Sequence, residues 1–191
     1  MRIVLTGGPG AGKTVITTAI ALSDPKRFVR VPEAATHVYD SRQTRWDRLD
    51  VPGRREVQRQ IYFHQVEQED RLAAENPDRI ILLDRGTIDG AAYWPDGPDG
   101  YWTDLQTTLD EQLTRYDAVI WMQTGAALGH YDGDASNACR FEDDAAAIES
   151  GLLLGKLWSG HPTIKHVGAY PTIAEKIEAV KHVINDLMND Q

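Results

Sequence analysis

Residues 1–14 read MRIVLTGGPGAGKT, and the rest of the chain is best read outward from them. Met1–Thr6 is a short run with an apolar centre, the length of a buried strand rather than of a helix. Gly7, Gly12, Lys13 and Thr14 then satisfy the spacing G-x-x-x-x-G-K-[ST]. Glycines let the backbone curl so that successive N–H groups point inward at an anion. The pattern Val15–Leu22 predicts a helix whose positive N-terminal end adds to the same field. Lys13 is expected to reach the β- and γ-phosphates of a nucleotide, and the Thr14 hydroxyl to help hold Mg²⁺. Gly8, Gly10, Ala11 and Val15 complete the candidate nucleotide contacts. The expected ligand is a nucleoside triphosphate, ATP with GTP left open, together with Mg²⁺.

Beyond this stretch, short β-type runs alternate with helical patterns. Phe28–Val31, closed by Pro32, reads as a second strand, Arg79–Asp84 as a third and Asp117–Gln123 as a fourth, with Thr163–Val167 as a weak fifth. Long helical patterns run from about Arg54 to Glu75 and over Tyr101–Tyr116. In the last helix Thr172 and Glu175 have capping-box spacing, and Ile173, Ile177, Val180, Ile184 and Leu187 form one apolar stripe. Strands alternating with helices imply βαβ units and a parallel sheet covered on both faces. The expected fold class is therefore α/β, a three-layer α/β/α single domain over residues 1–191. The Gly/Asp-rich stretch within 124–145 is a candidate lid.

Composition narrows the function classes. Twenty Lys+Arg against 29 Asp+Glu give a net charge of −9, which disfavours non-specific nucleic-acid binding. No apolar run approaches the ~20 residues a bilayer requires, so no membrane partner is expected. The first strand starts at Met1, leaving no room for a signal peptide, and the single Cys139 has no internal disulfide partner. Both point to a reducing cytoplasm. The charge is uneven: residues 1–80 hold 13 basic and 11 acidic side chains, residues 81–191 hold 7 and 18.

Ligands of open parallel sheets sit beyond the carboxyl ends of the strands, so Asp84, at the end of strand three, is expected to face the phosphates and to help hold Mg²⁺. Arg85 beside it could contact a transferred or acceptor phosphoryl group, and Asp89 either joins the site or favours the start of a short helix. Glu33, in VPEAA after strand two, could accept a proton from an attacking hydroxyl, or simply begin a helix with Pro32. Arg42, Arg45, Arg48, Arg54, Arg55 and Arg59 could neutralise a phosphorylated acceptor, or pair with the interleaved Asp47, Asp50 and Glu56. Arg140, at the end of the candidate lid, could swing over a triphosphate or pair with Glu142 or Asp144. Tyr93 and Trp94 either stack on a planar ligand or pack their loop onto the core. His64 and Gln68 share one helix face, which suits a hydrogen-bonded, half-buried histidine.

GGPGAGKT, VPEAA, a helix carrying Gln65, DRGTIDGAAY, Arg140-Phe141-Glu142 and the Trp158–Pro162 run together resemble the NadR-type AAA family, in the kinase branch of P-loop NTPases. The resemblance implies a five-stranded sheet in the order 2-3-1-4-5. It also implies Gly12, Lys13 and Thr14 as nucleotide and Mg²⁺ contacts, Glu33 and Asp84 as acidic site residues, and Arg140 as a lid arginine. No N-K-x-D string occurs, which argues against a Ras-like GTPase. Two functions remain open: a kinase acting on a small nucleoside, nucleotide or nicotinamide riboside-like acceptor, and a regulatory NTPase or nucleotide-gated binding module with no small-molecule acceptor. Sequence leaves the oligomeric state undetermined.

Overall fold

A computed structural model describes residues 1–125 and 144–189. Five strands, β1 (Arg2–Thr6), β2 (Phe28–Val31), β3 (Ile80–Asp84), β4 (Ala118–Met122) and β5 (Ile164–Val167), form one parallel sheet in the order β2-β3-β1-β4-β5. Each strand lies within a residue or so of its expected place.

Alternation along the strands explains why both faces are covered. Ile3 and Leu5 of β1, Ile80 and Leu82 of β3, and Ile120 and Met122 of β4 pack one face against helices α1 (Lys13–Ser23) and α8 (Ile173–Asn189). Val4, Ile81, Leu83 and Val119 point to the other face, where Ile88, Tyr101, Leu113, Tyr116 and Trp158 cover them. Those come from the DRG turn, α5 (Pro98–Leu105), α6 (Leu109–Leu113) and the loop after it, and α7 (Asp144–Trp158). Each fully buried aliphatic or aromatic side chain is worth roughly 1.5–3 kcal/mol. The stripe on α8 is among the residues of the first face: Val180, Ile184 and Leu187 are buried.

The helical pattern at 101–116 resolves differently from expectation. Two short helices replace one, because Gln106 takes a left-handed φ of 53° and ends α5. Thr108 and Glu111 then form a reciprocal capping box that starts α6. The long helix, α3 (Val51–Glu75), begins a turn earlier than its apolar pattern suggests, with Asp50 accepting from Gly53 N at 2.9 Å and Pro52 in the first turn. Its buried positions are Val57, Gln58, Gln65 and Glu69, mostly polar. Gln58 and Gln65 face a cavity rather than the apolar core.

At the carboxyl edge of β4 the buried Lys176 donates to Gln123 O at 2.5 Å. Burial lowers its pKa to about 8 from 10.5. The folded chain therefore prefers the neutral amine, and the cost of burying a charge is full below about pH 8 and relieved as pH rises toward 10.5. Stability of the parent, relative to Lys176→Met, is expected to rise across that interval. Chemical unfolding at pH 7.5 and pH 10 for both proteins checks it; a difference independent of pH would refute the assignment. Among the described residues, no helix is long and apolar enough to cross a membrane.

Candidate active site

The loop joining β1 to α1 turns sharply at glycines. Gly7 has φ 144°, and a Cβ there would lie 2.2 Å from Met122 O. Gly12 has φ 85° and faces Ile173 at the start of α8. Only glycine fits both the backbone and the space. The buried Lys13 folds back so that Nζ donates to Gly7 O at 2.7 Å and Gly8 O at 2.9 Å. The loop is fastened from its far side, where Thr124 Oγ1 donates to Pro9 O and Gly125 N to Gly10 O. Thr14 and Val15 stand exposed at its mouth.

Asp84 ends β3, opposite Leu5 in register, and is fully buried. A residue that sequence reading did not single out holds it. Arg30, in the middle of β2, donates from Nη2 to Asp84 Oδ2 at 2.9 Å and from Nε to Thr17 Oγ1 at 3.0 Å. Thr17 in turn donates to Lys13 O at 2.9 Å. One guanidinium thus ties the acidic strand end to the first turn of α1. The other oxygen, Asp84 Oδ1, is buried without a hydrogen-bond partner among the described residues. A lone buried carboxylate oxygen beside a phosphate-type loop fits a hard divalent cation such as Mg²⁺. The signal in the sequence was a charged residue inside FVRV, since an arginine on a covered parallel strand needs a partner.

Arg85 follows with φ 79°, a left-handed conformation unusual for a residue with a side chain. This turn directs its guanidinium sideways. Nε donates to Glu33 Oε1 at 2.5 Å, while Nη1 lies 3.4 Å from Asp89 Oδ2 and from Tyr93 Oη. Burial works against its charge, and Tyr93, Glu33 and Asp89 more than offset that, so its pKa is raised. Asp89 also accepts from Thr6 Oγ1 at 2.9 Å and Trp158 Nε1 at 2.7 Å. Burial pushes its pKa up against these donors and the positive charges of Arg85 and Lys13. Glu33 caps no backbone group of α2 (Ala34–Arg42); its second oxygen accepts from Thr36 Oγ1 at 3.0 Å.

These residues border a cavity of about 320 Å³. Pro9 of the phosphate-type loop, Glu33, Arg85 and Asp89 lie along it, with Gln58 and Gln65 of α3 and a wall of Tyr39, Trp46, Tyr62, Tyr93 and Tyr101. Sequence reading missed the aromatic wall, apart from Tyr93, and Gln58; Gln65 entered only as part of the family resemblance. The spacing 58, 61, 62, 65, 69 does place them on one face of α3. Trp94 instead packs into the core. Beneath the cavity, Gln65 Nε2 donates to Glu69 Oε1 and Arg85 O, and Glu69 accepts from Tyr116 Oη and Arg115 Nη2. His64 contacts Gln68 and stacks on His37 at 4.3 Å.

The arginine-rich stretch turns mostly to acids, some within it and some far along the chain. Arg42 meets Gln60 and Glu56, Arg45 forks onto Asp47, Arg55 pairs with Asp96, and Arg59 with Asp104 and Glu56. Arg54 lies over the Trp46 ring. Arg140 and most of the candidate lid lie outside the described residues.

A family model described as an AAA domain matches residues 2–170. The chain belongs to this AAA-domain family. None of the curated proteins matches the sequence significantly. Solved structures with the same fold include deoxyadenosine kinase from M. mycoides, with products dCMP and dCDP bound, at TM-score 0.66 and 13% identity over 97% of this chain and 100% of that one. Thymidylate kinase from Candida albicans aligns at TM-score 0.64 and 14% identity, over 100% and 93%. NadR in complex with NAD and AMP-PNP aligns at TM-score 0.65 and 12% identity over 98% of this chain, which spans 49% of NadR. At such identities the likeness is one of fold: this AAA-domain chain has the P-loop kinase-type architecture, with the 2-3-1-4-5 sheet order that the family resemblance implied.

Proposed function

We propose that the chain is an ATP- and Mg²⁺-dependent phosphotransferase that moves the γ-phosphoryl group to a hydroxyl of a small acceptor. The observation that carries this reading is a cavity running from the phosphate-type loop at Pro9 past Glu33 and Arg85. A switch whose only acceptor is water needs no such second chamber.

In this reading the loop amides and Lys13 hold the triphosphate, Lys13 exchanging the Gly7 and Gly8 carbonyls for phosphate oxygens. Asp84 and Thr14 would hold Mg²⁺, which when bound offsets charge on the phosphates and orients them. The acceptor oxygen bonds to the γ-phosphorus as the bond to the β–γ bridging oxygen breaks, and ADP leaves. Glu33 orients the hydroxyl and takes its proton. The proton moves late, because a loose transition state leaves it on the nucleophile until the phosphoryl group has largely transferred. Arg85, held between Glu33 and Asp89, faces the charge that moves.

Arg30 is a positioning residue here. In Arg30→Lys the charge remains but one ammonium cannot reproduce the fork onto both Asp84 and Thr17. The Mg²⁺ dependence of turnover, and Mn²⁺ binding followed by EPR with AMP-PNP present, are expected to weaken about 10–100-fold; unchanged metal affinity would count against this role.

The reading is tested by ADP release from Mg-ATP across nucleosides, nucleotides and pyridine ribosides. Turnover stimulated by one acceptor class is expected. Slow turnover indifferent to every acceptor would favour a nucleotide-gated module instead.

A further inference from the structure

We propose that Glu69, which lies beneath the cavity and outside its lining, is a positioning residue that aims the Arg85 guanidinium through the Gln65 amide and the backbone of the DRG turn. The consequence for turnover rests on the phosphotransferase reading and deepens it; the positioning itself stands apart from that reading.

Arg85 needs support from outside its own segment. Its φ of 79° is left-handed, a conformation that is costly for a residue with a Cβ and persists only where neighbours over-determine it. The Cα–Cβ bond follows the backbone dihedrals, so relaxing the turn would re-aim the guanidinium away from Glu33 and Asp89.

Three hydrogen bonds fasten this turn. Arg85 N donates to Leu5 O at 3.1 Å, which continues the pairing of β1 with β3. The other two lead to one carboxylate. Gln65 Nε2 donates to Arg85 O at 3.2 Å and to Glu69 Oε1 at 2.8 Å. Thr87 N donates to Tyr116 Oη at 2.7 Å, and that hydroxyl donates to Glu69 Oε1 at 2.9 Å. Arg115 Nη2 holds the second oxygen, Glu69 Oε2, at 2.9 Å.

Glu69 is fully buried, and a buried charge is tolerated only with partners such as these. The partners in turn take their orientation from it. A carboxylate only accepts, so the Gln65 amide points its nitrogen at Glu69 and has its second N–H left for Arg85 O. Glu69→Gln reverses this at nearly constant shape. Arg115 can only donate, so it draws the oxygen of the substituted amide and leaves the NH₂ facing Gln65 and Tyr116. Gln65 then turns its own oxygen inward, and Arg85 O meets an acceptor where it had a donor.

The test follows arginine Nε–H signals by ¹⁵N NMR on the whole chain, with no nucleotide or acceptor added. Arg85→Lys and Arg30→Lys identify the two signals needed. In Glu69→Gln the Arg85 Nε–H, bound to Glu33 in the parent, is expected to exchange with water at least about 10-fold faster. The Arg30 Nε–H, bound to Thr17 on the sheet face that α1 covers, is expected to keep its parental rate, which a general loss of structure would not allow. Gln65→Met cuts the same link while leaving Glu69 with Arg115 and Tyr116. It is expected to reproduce the change at Arg85, and it decides the matter should Glu69→Gln fail to fold. In the ADP-release assay Glu69→Gln is expected to lower kcat about 10–100-fold, with KM for ATP within about 2-fold of the parent. An Arg85 signal that keeps its parental rate, or one that speeds up together with that of Arg30, would overturn the proposal. The two readings fail separately. A faster Arg85 signal in a chain whose parent shows no acceptor-stimulated release keeps the positioning and removes the kinase, whereas stimulated release with an unmoved Arg85 signal keeps the kinase and removes the positioning.

Discussion

Lys13→Ala is expected to lower acceptor-dependent ADP formation by about 10³-fold, the scale of losing a preorganised charge on a transferring phosphoryl group. The ammonium sits inside the loop, bound to the Gly7 and Gly8 carbonyls, so its position relative to an incoming triphosphate is set before binding. Truncation removes that charge together with two hydrogen bonds that tie the loop to α1. The core is untouched, because the sheet faces are filled by other side chains. The variant is therefore expected to keep its far-UV spectrum and to unfold within about 1–2 kcal/mol of the parent. Steady-state kinetics and equilibrium unfolding measured on the same preparation separate the two effects. Near-parental turnover would remove Lys13 from the mechanism.

Trp158→Ala carries the largest expected loss of stability. The indole is fully buried at the end of α7, edge-on to Tyr116 at 5.3 Å, and a Cβ on Gly86 would come within 2.9 Å of its ring. Its Nε1 donates to Asp89. Truncating such a residue costs roughly 3–5 kcal/mol, which corresponds to a fall in Tm of roughly 6–20 °C for a chain of this size. Trp158→Phe separates packing from polarity: most of the ring contact survives while Asp89 loses its indole donor, for a cost of about 1–2 kcal/mol. Differential scanning calorimetry of the two variants checks the ordering, and a Trp158→Ala protein as stable as Trp158→Phe would show that the ring does not support the DRG turn.

The same physics explains what could be read from the chain and what could not. GGPGAGKT is local: a turn between a strand and a helix is encoded in consecutive residues, as are the five strands and the stripe on α8. Asp84, Arg85 and Glu33 were legible because each sits at the carboxyl edge of a strand, where ligands of parallel sheets gather. Arg30 was not, because its partner Asp84 lies 54 positions away and strand pairing alone brings them together. The arginines at 42–59 illustrate the converse. Sequence left open whether they bind phosphate or pair with nearby acids, and Arg55 and Arg59 find acids 41 and 45 positions downstream. The cavity was invisible for a related reason: α2, α3 and α5 each contribute a few side chains, and no single segment carries its signature. The break at Gln106 lacks the glycine that ordinarily marks a left-handed turn.

The fate of the γ-phosphoryl group tests the account most directly. With ATP labelled at the γ-phosphorus, Mg²⁺ and the acceptor that most stimulates ADP release, the label is expected in a phosphorylated acceptor, in step with ADP. Label found only as inorganic phosphate, at a rate unaffected by any acceptor, would contradict it.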